Sequence, residues 1–163
     1  MAVAENLSPQ GDPNAQYLEL LQLVERLHRQ LLDVVKDELD REGIDDVNSV
    51  QALLLFNIGD QELTAGELRT RGHYLGSNVS YNLKKLVEAG YIRHERSEVD
   101  RRSVKVSLTE TGHAVRTQLN ALFDRQANSL TAVGGVETDN LPLVNTSLTR
   151  IERFWADHIR FRM

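Results

Sequence analysis

Apolar and polar residues follow two periods along this chain, one typical of helices and one of strands. From Asn14 to about Arg41, apolar residues recur every three or four positions, which predicts a long amphipathic helix. Residues 50–58 are apolar on nearly every side, which predicts a helix buried in the core. Residues 91–96 and 104–108 alternate in type, as half-buried strands do. The pattern therefore predicts a mainly α fold with a small β-hairpin.

Two short helices separated by a turn are predicted between the core helix and the hairpin. The first opens at Thr64, which forms a capping box with Glu67, and ends at Gly72. The second starts near residues 77–78 and ends before Gly90. Its buried stripe consists of Val79, Leu83 and Leu86. Helix, turn, helix and hairpin, in this order, predict a winged helix-turn-helix.

Two more helices are predicted after the hairpin. The first is capped by residues 109–112 and ends near Leu130, and the second follows a break at Gly134 and Gly135. The last helix carries an apolar seam made of Leu141, Val144, Leu148, Ile151, Trp155 and Ile159. Such a seam is too apolar for a solitary terminal helix. It either folds back on its own domain or pairs with a second copy.

The distribution of charge changes what the net charge of −5 implies. Residues 1–63 carry 4 Lys or Arg against 13 Asp or Glu, whereas residues 64–105 carry 9 against 5. Phosphate attraction acts over roughly 8–10 Å at physiological salt, so the local excess of positive charge matters more than the total. The predicted winged helix is therefore the basic part of an acidic chain, and this favours nucleic acid as its partner.

The candidate DNA-binding residues lie on the second short helix and on the hairpin loop. The N-terminal half of a recognition helix reaches base edges, which favours Asn78, Ser80 and Tyr81 as reading residues. Ser77 suits an N-cap or a phosphate contact. Further along the helix, phosphate contacts are predicted for Lys84 and Lys85. The alternative is that both lysines are merely solvated helix charges.

Two adjacent arginines, Arg101 and Arg102, occupy the predicted hairpin tip. An arginine there can enter a minor groove, where narrow A·T-rich segments concentrate negative potential. We expect Arg101 to be the deeper probe. Second-rank phosphate candidates are Arg71, Arg93, Arg96 and Lys105.

Catalytic and metal-binding patterns are missing from the sequence. The five histidines are dispersed, with no H-x-x-x-H or H-E-x-x-H spacing, and no phosphate-binding loop or nucleophile elbow occurs. Zero cysteines exclude disulfides and thiolate metal sites. The adjacent carboxylates Asp45 and Asp46 are interpreted as helix-start charges. We therefore expect a chain that is not an enzyme and needs no cofactor or metal; the remaining alternative to DNA binding is a winged helix used for protein contact.

The segment 63–112 resembles the MarR family of bacterial transcription regulators. The likeness is carried by Leu63-Thr64 with Glu67-Leu68, by Val79, Leu86 and Gly90, by Asp100-x-Arg102, and by Leu108-Thr109-x-x-Gly112. The stretches DVNSVQALLLFNIGD and YLGSNVSYNLKKL also resemble an LdtR-like branch of that family. The resemblance implies that Asp100 orients Arg101 and Arg102, at the tip of the hairpin that forms the wing (residues 91–108), through a salt bridge. It also implies that Arg102 is partly structural.

The same resemblance implies a homodimer on a pseudo-palindromic DNA operator, with a small-molecule effector bound between the DNA-reading lobe and the dimer helices. Dimer contacts would come from the apolar seam of the last helix together with Leu21 and Val24 of the first. The proline and glycine residues and the low apolar content of residues 1–13 predict a mobile tail. The remaining division is a dimerisation helix (14–45), the winged helix-turn-helix (46–112) and C-terminal dimerisation helices (113–163). The N-terminus lacks a secretory pattern and no apolar run approaches about 18 residues, so the expected location is the cytoplasm.

Overall fold

Six α-helices and three short strands make up the parts of the chain described by the structure, a computed structural model covering residues 11–72, 76–100 and 102–162. In chain order the elements are α1 (Pro13–Arg41), α2 (Ser49–Ile58), β1 (Leu63–Thr64), α3 (Ala65–Gly72), α4 (Gly76–Glu88), β2 (Ile92–Arg96), β3 (Val104–Leu108), α5 (Glu110–Ser129), a 3-10 turn (Thr138–Asn140) and α6 (Leu141–Phe161). The predicted fold, mainly α with a winged helix-turn-helix, is confirmed. Residues 1–10 of the predicted tail lie outside the described residues.

Local capping chemistry explains where these helices begin and end. At the start of α1, the Asp12 side chain accepts a hydrogen bond of 3.1 Å from the backbone N–H of Asn14. After α1 the chain turns at Gly43, whose φ of +71° suits glycine. Asn48 and Gln51 form a reciprocal capping box that starts α2. The start of α2 therefore depends on side chains as well as on its apolar body.

The sheet has three antiparallel strands in the order β1-β3-β2. The predicted hairpin of β2 and β3 is present, with Ile92 opposite Leu108 and Arg96 opposite Val104. The additional strand β1 was not predicted; it pairs Leu63 with Val106. A two-residue strand has no measurable period, and its partner lies more than 40 residues away, so local patterning could not reveal it.

Two compact units are distinguished along the chain, with the boundary after Leu119. The first contains α1 to β3 and the N-terminal part of α5. As predicted, α2 lies in its core, and Val79 and Leu86 of α4 are buried as well. The most buried side chains of this unit include Val35, Leu39, Ala52, Leu54, Leu55, Ile58, Leu68, Leu86, Ile92, Val106, Val115 and Leu119.

The second unit holds the C-terminal part of α5, the 3-10 turn and α6. No residue of α6 is buried, although Leu141, Ile151 and Trp155 are half-buried. The exposed apolar side chains of α6 include Leu143, Val144, Leu148, Phe154, Ile159 and Phe161. Its apolar seam thus has side chains available for a partner; the assignment of that partner stays a prediction.

Helix α1, in the first unit, also exposes apolar side chains. Leu23, Leu27 and Leu31, spaced four residues apart, are 43%, 59% and 40% exposed. The predicted interface residues Leu21 and Val24 are half-buried. The exposed leucines therefore enlarge the apolar surface of α1 for which the sequence analysis expected dimer contacts through Leu21 and Val24. Within the described parts of the chain, no helix has the length and apolar character needed to cross a membrane.

Candidate nucleic-acid interface

Helix α3 begins with the predicted capping box. The Thr64 backbone N–H donates to Glu67 Oε2 at 2.9 Å, and the Glu67 N–H donates to Thr64 Oγ1 at 3.1 Å. The helix ends at Gly72, and the turn residues 73–75 lie outside the described part of the chain. Leu68 is buried and fixes α3 to the core. The first helix of the predicted helix-turn-helix is therefore confirmed, together with its N-terminal capping box.

Helix α4 has one buried and one exposed face. Val79, Leu83 and Leu86 are 3%, 8% and 1% exposed, as the sequence pattern predicted. The other face exposes Asn78, Ser80, Tyr81, Lys84 and Lys85. Ser77 lies in the first turn of this helix, and its side chain is outside the described residues. Five of the six predicted helix contacts thus share a solvent-facing surface of hydroxyl, amide and ammonium groups.

Two of these groups already have partners within α4. The Lys85 Nζ lies 5.7 Å from the centre of the Tyr81 ring and 4.0 Å from Glu88 Oε2. Both contacts are on the surface, where such interactions contribute little stability. They nevertheless engage the Lys85 ammonium with two side chains of its own helix, one about a turn before it and one about a turn after it. Lys84 is therefore the better candidate for a phosphate contact.

The loop between β2 and β3, residues 97–103, is held by its own backbone and short side chains. The Ser97 N–H donates to the Ser103 carbonyl at 2.9 Å, and the Ser97 hydroxyl accepts from the N–H groups of Val99 and Asp100. The Asp100 Oδ1 accepts a hydrogen bond of 3.0 Å from the Arg102 N–H. Such side-chain bonds to nearby backbone groups define tight turns. The wing loop is therefore shaped locally.

This geometry bears on one expectation about the wing. The resemblance implied that Asp100 orients the arginines through a salt bridge; its carboxylate accepts the Arg102 backbone N–H, and the salt bridge stays a prediction. The side chain of Arg102 is exposed and its backbone is tied into the loop. Arg101 lies outside the described residues. Its predicted role as the deeper probe stays a prediction.

Most of the second-rank basic residues are exposed, but one of them has a partner. The Arg71 guanidinium donates to Gln61 Oε1 at 2.7 Å, which ties it to the start of the winged helix. Arg93, Arg96 and Lys105 are exposed along the hairpin. Beside them, a cavity of about 230 Å³ is also lined by the carboxylates of Glu62, Glu95 and Glu98. The local positive field of the hairpin is therefore weaker on this side.

Sequence reasoning missed two polar contacts that tie α2 and the segment before it to the interface. The Tyr91 hydroxyl, at the base of the wing, donates to Asp46 Oδ1 at 2.5 Å. The Gln51 side chain donates to Asn82 Oδ1 of α4 at 3.3 Å. Asp46 therefore does more than start a helix, which corrects its interpretation as a helix-start charge. A signal for the second contact was present, since Asn82 is an amide at a position where helix spacing allows an apolar residue.

The Tyr91 contact yields a stability prediction. Burial, together with the hydrogen bond to Asp46 and the negative charges of Asp46 and Asp45, raises the pKa of Tyr91 to about 12 from 10.0. A hydrogen bond to a charged group contributes about 1.5–3 kcal/mol, so Tyr91→Phe is expected to lower the free energy of unfolding by that amount at pH 8. Because the pKa is raised on folding, this stabilisation is complete below pH 10 and is lost as the pH rises through about 12.

The measurement is urea unfolding of wild type and Tyr91→Phe between pH 8 and pH 12. The stability difference between them should shrink over this range. Tyr81→Phe is the control, because the Tyr81 side chain is 61% exposed and its loss should change stability by less than about 0.5 kcal/mol. A Tyr91→Phe variant as stable as wild type at pH 8 would refute the contribution of this hydrogen bond.

Comparison with known proteins agrees with this architecture. Residues 45–103 match the family model described as MarR family. A relative from Rhizobium meliloti, the exopolysaccharide II synthesis transcriptional activator ExpG, is 35% identical over 145 residues, covering 89% of this chain and 74% of its own. This alignment covers nearly the whole chain, so the relationship extends beyond the winged helix.

Solved structures show the same fold at lower identity. Streptococcus pneumoniae FabT in complex with DNA matches with a TM-score of 0.69 and 20% identity over 86% of this chain and 98% of its own. A mutant MarR from E. coli complexed with operator DNA matches with a TM-score of 0.67 and 19% identity; the match covers 86% of this chain and 98% of that protein. Staphylococcus aureus MarR in complex with salicylate and kanamycin matches with a TM-score of 0.71 and 19% identity; the match covers 88% of this chain and 94% of that protein. With the winged helix-turn-helix, the family-model match and the 35% identical relative together, the chain belongs to the MarR family of transcription regulators.

Proposed function

We propose that this protein regulates transcription by binding a duplex DNA operator as a homodimer, through α4 and the wing. The observation that carries the proposal is the exposed polar face of α4, which presents Asn78, Ser80 and Tyr81 opposite a buried apolar stripe. A helix of this kind fits the major groove, where each base pair has a distinct pattern of donors and acceptors. Two of the fold neighbours were solved with DNA, which supports the same use of this surface.

The residues divide into those that read bases and those that position the helix. Asn78, Ser80 and Tyr81 lie toward the N-terminal end of α4 and face the base edges. Lys84 neutralises a phosphate, with Lys85 and Ser77 as further backbone contacts. In the wing, Arg102 and Arg101 address the adjacent minor groove. Under the alternative function, protein contact, the same surface would bind without dependence on duplex phosphates.

Dimerisation follows from the exposed apolar surfaces of the terminal helices. In α6 the proposed contacts come from the seam, of which Val144, Leu148 and Ile159 are exposed and Leu141, Ile151 and Trp155 are half-buried; in α1 they include the half-buried Leu21 and Val24. Residues 46–112 then form the DNA-binding part, and the helices outside that range hold two copies together. Two symmetric recognition helices address half-sites about 10 bp apart, which is why a pseudo-palindromic operator is proposed.

The proposal includes a small-molecule effector. A fold neighbour was solved in complex with salicylate and kanamycin, and a cavity of about 460 Å³ lies beside the junction of α1 and α2 in this protein. A regulator of this kind acts in the cytoplasm, where the chromosome is. Its direction of action, activation or repression, is set by where its operator lies relative to the promoter; the R. meliloti relative is named as an activator.

Substitutions on α4 test the division between reading and positioning. We expect Lys84→Ala to weaken binding to all duplexes similarly and to flatten the slope of log K against log salt by about 0.9. Asn78→Ala and Ser80→Ala should instead reduce discrimination between operator and random duplex by about 1–3 kcal/mol, with the hydroxyl at the lower end. The measurement is duplex binding over a salt series, using an operator selected from a random library.

A matched control for Lys84→Ala is Lys36→Ala. Lys36 is an exposed lysine on α1, outside α4 and the wing, and it is paired with Asp40 at 2.6 Å. Its loss should leave affinity and salt slope unchanged. A wild-type protein that binds no duplex with strong salt dependence would contradict DNA binding and favour the protein-contact function.

A further inference from the structure

Gln51 is one of two polar or charged residues that are buried among the described residues. Both the oxygen and the nitrogen of its side-chain amide make hydrogen bonds. Its side chain is only 8% exposed. The Oε1 atom accepts from the Asn48 N–H at 3.1 Å, and this closes the capping box at the start of α2. The Nε2 atom donates to Asn82 Oδ1 at 3.3 Å. One buried amide therefore links the first turn of α2 to the middle of α4.

Asn82 occupies a boundary position on α4. It is half-buried and follows the exposed residues Ser80 and Tyr81, while the next residue, Leu83, is buried. Each residue turns a helix by about 100° and advances it by about 1.5 Å. The hydrogen bond from Gln51 therefore holds α4 at the boundary between its exposed polar face and its buried apolar stripe.

The hydrogen bond between Gln51 and Asn82 restricts the rotation of α4 more narrowly than apolar packing does. Hydrophobic contacts are non-directional, so the stripe of Val79, Leu83 and Leu86 tolerates small rotations and shifts of α4. A hydrogen bond weakens steeply when its distance or angle departs from a narrow range. Because the Gln51 amide is itself held by Asn48, its position is fixed relative to α2 and the core.

We propose that Gln51 and Asn82 are positioning residues for DNA recognition, and that their hydrogen bond sets the rotation of α4 that aligns Asn78 and Ser80 with base edges. This inference rests on the proposed function. Discrimination between operator and random DNA depends on aligned base contacts, whereas the affinity for random DNA depends on phosphate contacts that tolerate small shifts. Loss of the bond should therefore reduce discrimination and leave non-specific binding in place.

Three variants separate positioning from folding. Asn82→Leu removes the acceptor and places an apolar side chain at a half-buried site, so the protein should fold. Gln51→Met removes both hydrogen bonds of the amide. Gln51→Glu is the conservative variant, because it keeps an acceptor for the Asn48 N–H and can accept from the Asn82 amide once that amide is turned.

The experiment measures Kd for a selected operator and for random duplex, the salt slope, and the midpoint of thermal unfolding. We expect Asn82→Leu to weaken operator binding about tenfold, a change of about 1.4 kcal/mol. Its Kd for random duplex and its salt slope should match wild type. Gln51→Glu should retain most of the discrimination, and Gln51→Met combined with Asn82→Leu should lose no more discrimination than the single variants, as expected for two groups acting through one bond.

Other outcomes overturn the inference. If Asn82→Leu lowers the unfolding midpoint but keeps the ratio of operator to random Kd, the bond serves stability alone. If operator and random affinities fall together, α4 has lost its phosphate contacts and alignment is not the cause. If the wild type itself shows no salt-dependent duplex binding, the proposed function fails, and the inference fails with it; the wild-type measurement distinguishes this case from the other two.

Discussion

Gly112→Ala is expected to lower the free energy of unfolding by about 3 kcal/mol or more, the upper end of the cost of overpacking. A Cβ at Gly112 would overlap the carbonyl oxygen of Tyr91 and would lie 3.3 Å from the Leu108 Cβ. The first of these is a backbone atom, and it cannot move freely because it also accepts the Thr109 N–H at 3.1 Å. Relief of the overlap would require α5 and the base of the wing to separate.

The surrounding contacts explain why Thr109 and Gly112 occur together. The Thr109 hydroxyl donates to the Gly90 carbonyl at 2.6 Å and accepts from the Gly112 N–H at 3.2 Å. These bonds hold the first turn of α5 against the segment that leads into β2, and only a residue without a side chain fits at this closeness. We therefore expect DNA binding of Gly112→Ala to fall with its stability.

The measurement is denaturant unfolding at one protein concentration. Gly66→Ala is the matched control, because a Cβ there would meet only Thr64 Oγ1, at an ordinary 3.8 Å. Gly66 lies in α3, so alanine should be neutral or should stabilise by up to about 1 kcal/mol. Equal stability of Gly112→Ala and wild type would refute the steric argument.

Leu148→Asp combined with Ile151→Asp is expected to convert a micromolar dimer into monomers and to weaken operator binding by at least about 100-fold. Both residues belong to the apolar seam of α6, where Leu148 is 41% exposed and Ile151 is half-buried in the single chain. A carboxylate buried without a partner costs several kcal/mol, so two in each copy would exceed the stability of most dimers. Operator binding falls too because two linked recognition helices bind with the advantage of high effective concentration.

The control for this double variant is Thr146→Asp combined with Thr149→Asp. These substitutions add the same charge at the same spacing but lie on other faces of α6, since about 100° separates successive residues. They should preserve the dimer. Light scattering and operator binding are measured together for both proteins. A wild-type monomer that binds its operator tightly would contradict the dimer prediction.

The elements of this fold were predictable from sequence because their signals are local. Thr64 and Glu67 cap α3 across three residues, and Gly90, with φ of +84°, ends the helix before it by its own conformation. The exposed face of α4 was predictable for the same reason, since Val79 and Leu83 determine which side is buried. Predicting the candidate DNA contacts on that face therefore required only the helical period of the apolar residues.

The contacts that escaped prediction join distant parts of the chain. Tyr91 and Asp46 are separated by 45 positions, and Gln51 and Asn82 by 31. Nothing in the neighbourhood of either residue indicates its partner, because the pairing depends on how α2 packs under α4 and the wing. The hydrogen bond from the Arg102 N–H to Asp100 was not predicted either, because it depends on the turn geometry of the loop.

Strand β1 has a consequence for the motions of the winged helix. Thr64 pairs with Lys105 of β3 and also caps the first turn of α3, so one residue belongs to both the sheet and the helix. Local opening of the hairpin would release that cap, and fraying of α3 would remove an edge of the sheet. Backbone amides in β1, β3 and the start of α3 should therefore exchange their hydrogens with solvent as one cooperative unit, with a common opening free energy. The amides of Val99, Asp100 and Arg102, which donate only to side chains within the loop, should exchange independently and faster.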